Sequence, residues 1–365
     1  NKKITFISIY LIFFLIGDIL FSNFVYKKDL RHNCYKYLED FFYLQKNCQA
    51  KEKWVRNVKS YDVYTDGNGF RFSGKKNKDI GNKIAIFFGG SFTYGMGLDY
   101  KKTFVGLIEN GQKEFEILNL AVPGYSPTVF NYQLKKLIKN EILPKKIFFV
   151  LDISDVSEEA SQWDKKDKYA RPIQIKKTKE EDKNTEVNVF FKNFTKNNFK
   201  GSRLIARSTN NFFRFVRLYF SSFEEKLKKP GHTAWGNFLY MNLEDTDQKL
   251  WEPFGFNKGI EKIKKNFKEI SILANSLNAD LYIVIYPWPD TLEYGQNKFN
   301  WEKFSENLCS DVSCTKLINF FPEFQNVKKH SDDWLTKLYI DGDLHLTEYG
   351  QKIIAKKLLS EAFIN

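Results

Sequence analysis

The chain contains few of the residues that mark several specialised protein classes. Its 365 residues include only 20 glycines and 9 prolines, too few for a collagen-like or low-complexity chain. Four cysteines are too few for a disulfide-dense miniature scaffold, and none of them has metal-ligand spacing with any of the four histidines. No glycine-rich phosphate-binding loop occurs either. We therefore expect no metal and no cofactor.

The overall composition is typical of a folded globular protein. Hydrophobic residues make up 42% of the chain and charged residues 28%, enough for a sizeable core in one large domain or two ordinary ones. The formal net charge is +13. This charge is concentrated in residues 160–229, which hold 18 basic and 8 acidic residues. Because no recognition motif accompanies it, and because a Lys- and Asn-rich composition is also typical of AT-rich coding, we do not expect nucleic-acid binding.

Residues 4–26 are mostly apolar, carry a single charge at Asp18, and are long enough to cross a hydrocarbon core of about 30 Å. No small-residue cleavage site follows them, so we expect an uncleaved N-terminal transmembrane anchor. Cys34 and Cys48 form one local pair and Cys309 and Cys314 another, which favours two disulfides in an oxidising compartment. We therefore expect the body to lie in the periplasm or otherwise outside the cytoplasmic membrane.

The body alternates short apolar runs with amphipathic stretches. The sequence predicts five buried strands, at residues 84–88, 115–121, 146–152, 279–286 and 316–321, and helices at 104–109, 129–139, 260–277 and after Thr347. This alternation predicts a three-layer α/β/α sandwich around a parallel sheet of about five strands. We divide the chain into an anchor (1–26), a stalk and lead-in (27–80), and a domain (81–365) with a basic insertion at about 156–255.

The insertion contains an arginine stripe and several tryptophans. Arg203, Arg207, Arg214 and Arg217 fall on one face of a predicted helix at 203–219, which either meets an anionic membrane or acidic polymer, or is a solvated face of a lid helix. Trp163, Trp235 and Trp251 are candidates for lining a cleft under the insertion. Trp288, after the fourth strand, either stacks on a sugar ring or packs as a structural aromatic.

A candidate nucleophile follows the first predicted strand. Ser91 lies in residues 88–95, FGGSFTYG, where two glycines permit a tight turn and a helix beginning nearby would direct N–H groups at the serine. Near the other end, residues 339–347 read YIDGDLHLT. Asp343 and His345, two residues apart on a loop, can form the carboxylate–imidazole pair that a serine nucleophile needs, with Asp341 as the competing carboxylate.

Together these segments resemble the SGNH (GDSL-type) hydrolase superfamily, in a membrane-anchored bacterial form similar to the polysaccharide O-acyl esterase and acetyltransferase branch. Residues 89–95, 119–126, 152–156 and 343–350 correspond in order to the four blocks of that family. The resemblance implies a flavodoxin-like fold, a catalytic triad of Ser91, Asp343 and His345, and an oxyanion hole formed by Ser91, Gly124 and Ser154. It covers roughly residues 83–153 and 258–363.

The sequence departs from the family pattern at two positions in these blocks. Gly90 replaces the block-one aspartate, and Ser154 replaces the block-three asparagine, whose side chain donates to the oxyanion. A hydroxyl is a shorter donor than a carboxamide, and losing one such donor costs about 3 kcal/mol. The last pair is spaced Asp-x-His, the spacing of the polysaccharide-acetylating branch.

Three functions remain open from the sequence. The first is an extracytoplasmic esterase or O-acyltransferase acting on acyl, above all acetyl, esters of a cell-envelope or exported carbohydrate. The second is a lipid-directed esterase at the membrane surface, and the third is a non-catalytic module that binds a glycan or a partner. Hydrolysis and transfer use the same residues, and the oligomeric state cannot be read from the sequence.

Overall fold

The structure is a computed structural model that describes residues 13–21, 33–53, 59–75, 83–165, 172–174, 202, 253–296, 299–341 and 343–363. The chain forms two compact units, residues 1–31 with 178–228 and residues 32–177 with 229–365. In the first unit, residues 13–20 are helical. The buried carboxylate of Asp18 accepts hydrogen bonds from the backbone N–H (2.9 Å) and the hydroxyl of Ser202.

Two sequence predictions fall largely outside the described residues: the rest of the anchor (4–12 and 22–26) and the arginine-striped helix at 203–219. Trp235 and Trp251 also lie outside them. Within the described part of the chain, no helix combines the length and the apolarity that crossing a bilayer requires.

The second unit contains twelve described strands. They are β1 (Tyr35–Tyr37), β2 (Phe42–Leu44), β3 (Gln49–Glu52), β4 (Tyr61–Thr65), β5 (Arg71–Phe72), β6 (Lys83–Gly89), β7 (Phe115–Asn119), β8 (Lys146–Leu151), β9 (Trp163–Asp164), β10 (Ile173–Gln174), β11 (Asp280–Ile285) and β12 (Lys316–Asn319). Eight of them form one sheet in the order β12-β11-β8-β6-β7-β5-β4-β3. The pairs β1–β2 and β9–β10 are separate antiparallel ribbons.

The unit also contains ten described α-helices. They are α1 (Ser91–Tyr94), α2 (Phe104–Gly111), α3 (Pro127–Lys139), α4 (Ser154–Ser161), α5 (Phe256–Ser276), α6 (Pro289–Tyr294), α7 (Trp301–Asp311), α8 (Phe321–His330), α9 (Trp334–Leu338) and α10 (Glu348–Leu358). A 3₁₀ turn covers Tyr100–Lys102, and a π-helical turn covers Leu359–Phe363. Thr347 caps α10 as expected, since its hydroxyl accepts the N–H of Gly350 at 3.3 Å.

The parallel core of the sheet confirms the five predicted strands. Strands β7, β6, β8, β11 and β12 run parallel in the order 2-1-3-4-5 along the chain, which is the flavodoxin-like arrangement. The total of about five strands was wrong, because the sheet has eight. Strands β3, β4 and β5 extend it antiparallel beyond β7, so part of the stretch predicted as stalk and lead-in belongs to the sheet.

Stacked aromatic rings cover both faces of this core. On one face Phe87 stacks on Phe148 at 4.4 Å between ring centroids, and Phe104 of α2 packs against Phe87. On the other face Phe88 stacks on Phe149 at 4.8 Å. The helices on this second face contribute Phe130 of α3 and Phe267 of α5. Because consecutive strand residues point to opposite faces, α2 and the α3–α5 pair lie on opposite sides of the sheet, which confirms the three layers.

Candidate active site

Ser91 begins α1, directly after β6 and Gly89-Gly90. A Cβ at Gly89 would lie 2.2 Å from the Thr93 hydroxyl and 3.1 Å from the carbonyl oxygen of Val150, so only glycine fits this turn. At Gly90 the one neighbour within 4 Å of such a Cβ is the carbonyl oxygen of Tyr125, at 3.8 Å. A Cβ would therefore fit at Gly90, and the space around this position does not require glycine. The turn therefore holds a half-buried Ser91 at the carboxyl end of the first parallel strand.

Asp343 and His345 form a buried hydrogen-bonded pair on the loop before α10. Oδ1 of Asp343 accepts the backbone N–H of His345 at 2.8 Å and is also hydrogen-bonded to the ring Nδ1. The backbone of Ile340 closes the loop on both sides, accepting from Asp343 N–H at 2.9 Å and donating to the carbonyl of His345 at 2.7 Å. Asp341, the competing carboxylate, is exposed to solvent. This geometry favours Asp343 as the group that orients the imidazole.

The ring of Phe92, the residue after Ser91, connects the nucleophile turn with the loop that carries Asp343 and His345. Its centroid lies 4.8 Å from that of His345, 4.6 Å from Tyr286 and 6.0 Å from Trp288. The nucleophile turn and the histidine loop, about 250 residues apart in the sequence, thus meet at one end of the sheet. Trp288 is 3% exposed, so its ring packs in the interior. That placement favours the structural reading of Trp288 over sugar stacking.

The loop after β7 lies against the nucleophile turn. Gly124 has φ = +80°, in the left-handed region that favours glycine, and its carbonyl accepts the indole N–H of Trp163 at 2.8 Å. Val122 donates its N–H to the carbonyl of Gly89 at 3.2 Å, which ties this loop to the end of β6. Trp163 therefore holds the loop of the predicted oxyanion donor, a role that the sequence does not reveal because the two residues are 39 positions apart.

Ser154, the remaining predicted oxyanion donor, is hydrogen-bonded to Asp152. Both its N–H (2.8 Å) and its hydroxyl (2.5 Å) donate to Oδ1 of Asp152, while the hydroxyl of Tyr286 donates to Oδ2 at 2.5 Å. A serine hydroxyl has a single proton to donate. To serve an oxyanion, Ser154 would have to release Asp152, so its role as third donor stays a prediction.

Asp152, Asp155 and Glu158 are buried carboxyl groups that interact with one another electrostatically. Burial raises the pKa of Asp152, although the hydrogen bonds from Ser154 and Tyr286 and the electrostatic interaction with His345 oppose the change. Burial and then repulsion from Asp152 raise the pKa of Asp155 and of Glu158 well above their usual range. A raised pKa favours the neutral acid form. Among the described residues, no group of three or more His, Cys, Asp or Glu is arranged to hold a metal ion.

Comparisons with known proteins identify similar structures only. No protein-family model matches the chain, and no curated protein matches its sequence. One similar solved structure is an acetylxylan esterase from Geobacillus stearothermophilus, with 9% sequence identity, coverage of 79% of this chain and 98% of that one, and a TM-score of 0.41. A lipolytic protein of the G-D-S-L family from Veillonella parvula has 11% identity, coverage of 78% of this chain and 100% of that one, and a TM-score of 0.42. The psychrotrophic esterase EstA from Pseudoalteromonas has 11% identity, coverage of 76% of this chain and 96% of that one, and a TM-score of 0.38. At this level of likeness, the functional conclusion depends on the geometry of the site.

Proposed function

We propose that this chain is an SGNH-type serine esterase. The observation that supports it is the Asp343–His345 pair, packed through Phe92 against the turn that carries Ser91. Ser91 lies at the carboxyl end of a parallel strand in a doubly wound sheet, where such folds bind their ligands, and the Asp343–His345 loop contacts the same turn through Phe92. A carboxylate, an imidazole and a serine hydroxyl in this arrangement are the components of a nucleophilic acyl-transfer site.

The proposed chemistry proceeds through an acyl-enzyme. The Ser91 hydroxyl oxygen attacks the ester carbonyl carbon while Nε2 of His345 takes the hydroxyl proton, and the backbone N–H groups of Ser91 and Gly124 stabilise the oxyanion. The tetrahedral intermediate collapses, and the alcohol leaves with that proton. Asp343 keeps Nδ1 protonated, so that Nε2 is the nitrogen that exchanges protons. Water, activated in turn by His345, then hydrolyses the acyl-enzyme.

We propose acyl esters of a cell-envelope or exported carbohydrate as the substrate, with acetyl as the acyl group. The disulfides Cys34–Cys48 and Cys309–Cys314 support a location in an oxidising compartment, as does the apolar segment at 4–26. The ring of Phe92 packs against His345, and the buried rings of Tyr286 and Trp288 pack against Phe92. We infer from this aromatic packing beside the histidine that the acyl group is short. A sugar hydroxyl in place of water would make the same site an O-acyltransferase.

Substrate preference tests this proposal. Full-length protein should hydrolyse p-nitrophenyl acetate much faster than the octanoyl ester, and it should release acetate from an O-acetylated polysaccharide. Ser91→Ala should abolish both activities. Preference for the octanoyl ester would instead support a lipid-directed esterase. Release of acetate only when a sugar acceptor is absent, with transfer when one is present, would identify the acyltransferase.

A non-catalytic binding module is the second candidate, and the hydrogen bond from Ser154 to Asp152 favours it. A site with one fewer oxyanion donor loses about 3 kcal/mol of transition-state stabilisation, roughly a hundredfold in rate. The module would bind an acetylated glycan without releasing acetate. Isothermal titration with the same polysaccharide, run beside the acetate assay, distinguishes the two functions.

A further inference from the structure

Arg71, in strand β5, lies at the end of the nucleophile helix although it precedes Ser91 by twenty residues. Its side chain is almost completely buried, with 1% of the residue exposed, and the guanidinium lies over the ring of Tyr94 at 4.4 Å from the centroid. A buried arginine is costly unless its N–H groups are hydrogen-bonded. Here Nη1 donates to the backbone carbonyls of Tyr94 and Gly95 (3.0 Å), and Nη2 donates to that of Leu98 (2.6 Å).

These carbonyls lie at the C-terminal end of α1 and in the loop after it. The helix is a single turn, which ends at Gly95 with φ = +81°. The last carbonyls of a helix have no partners within it and need other donors. Arg71 supplies them for three carbonyls, and the side-chain amide of Asn119 donates to a fourth, that of Thr93, at 3.0 Å. Buried side chains on β5 and β7 therefore fix the far end of the turn that Ser91 begins.

We propose that Arg71 is a positioning residue for Ser91, an inference that rests on the proposed function. Because α1 has only four residues, a shift of its end is also a shift of Ser91. The positive guanidinium also lies at the negative end of the helix, where a cation is stabilising. Strand β5 pairs antiparallel with β7 at the edge of the parallel core, and through Arg71 it contributes to the position of the nucleophile.

Arg71→Lys in the full-length chain tests this. Lysine keeps the charge but presents one ammonium group instead of a planar fork, so it cannot serve the same three carbonyls. We expect the maximal rate of Ser91 labelling by a fluorophosphonate probe at saturating concentration to fall by roughly 10- to 100-fold, the effect of a displacement of about 1 Å. The probe concentration that gives half-maximal rate should change little, since the binding surface is intact.

Thr65→Val is the matched control. Thr65 pairs with Arg71 across β4 and β5 and is buried, and its hydroxyl bonds to Gln45 and Cys48 rather than to α1. This variant should lower the melting temperature but leave the labelling rate of the folded protein unchanged. If Arg71→Lys does not accumulate as folded protein, Arg71→Gln replaces it, because glutamine brings no charge into the interior, and the same loss is expected.

The outcomes separate the two proposals. Wild type that fails to react at Ser91 contradicts the proposed function, whatever the Arg71 variants do. Wild type that reacts, with a folded Arg71 variant that reacts as fast as Thr65→Val, overturns the positioning role and leaves the esterase intact. A slow Arg71 variant beside a fast Thr65→Val supports the inference.

Discussion

Replacing Asp343 by asparagine should inactivate the site while leaving the fold in place. Oδ1 of Asp343 is hydrogen-bonded to both the backbone N–H and the ring Nδ1 of His345. An asparagine whose amide oxygen takes the position of Oδ1 keeps both hydrogen bonds but lacks the negative charge that stabilises the imidazolium. An asparagine whose NH₂ group takes that position turns a donor toward the ring. In that orientation the imidazole accepts at Nδ1 and carries its proton on Nε2, so it cannot take the proton of Ser91.

The size of the effect has two contributions. Losing a hydrogen bond to a charged group costs about 1.5–3 kcal/mol, which is roughly 10- to 150-fold in rate. The wrong tautomer adds to this, and the same exchange in a serine-protease triad lowers kcat by about 10⁴. Because both residues are more than 90% buried here, solvent cannot substitute for the carboxylate. We therefore expect kcat to fall by about 10³–10⁴, with little change in KM.

The assay is steady-state hydrolysis of p-nitrophenyl acetate at neutral pH, with Asp341→Asn as the matched control. Asp341 is two residues away on the same loop and exposed, so its replacement should change kcat by no more than about twofold. Full activity in Asp343→Asn together with loss in Asp341→Asn would refute the geometric argument and make Asp341 the orienting carboxylate.

Three further predictions follow from the described contacts. Ser154→Ala should lower kcat by less than about tenfold, because the hydroxyl donates to Asp152 rather than to the oxyanion. Asp155→Asn should flatten the pH dependence of stability. Burial raises the pKa of Asp155, so the folded state keeps a proton that the unfolded state loses above about pH 4, and stability falls by up to about 1.4 kcal/mol per pH unit until the folded pKa is passed. Removing the Cys34–Cys48 disulfide, with a sequence separation of 14, should cost about 3 kcal/mol in the free energy of unfolding.

Each of these has a contrary result. A hundredfold loss of kcat in Ser154→Ala would show that the hydroxyl turns to the oxyanion during catalysis. Equal slopes for wild type and Asp155→Asn in urea unfolding between pH 5 and 8 would mean that Asp155 titrates normally. An unchanged melting temperature in the Cys34→Ser/Cys48→Ser variant would show that the lead-in strands contribute little to global stability.

The sequence predicts the parallel core well because its strands are buried on both faces. Runs such as 84–88 are continuously apolar, and the parallel direction of the strands follows from the alternation of strand and helix. The Asp343–His345 pair is equally local, since a spacing of two residues on a loop is enough to join a carboxylate to an imidazole. Both predictions needed only short-range patterns.

The sequence does not predict the strands and side-chain contacts that position the site from distant parts of the chain. Strands β3 to β5 are two to five residues long and mix polar with apolar side chains, so they look like loop. Arg71 and Trp163 reach the nucleophile turn and the Gly124 loop only through the fold. The hydroxyl direction of Ser154 depends on how Asp152 is placed by Tyr286, a contact between residues 134 positions apart.

Site-mapped labelling of the full-length protein by a fluorophosphonate probe tests the central claim most directly. The proposal predicts a single adduct on Ser91 by peptide mass spectrometry, none in Ser91→Ala, and labelling slowed by several orders of magnitude in His345→Ala. Folded wild type that gains no adduct, or an adduct rate unchanged in His345→Ala, would contradict the assignment of an activated serine to this site.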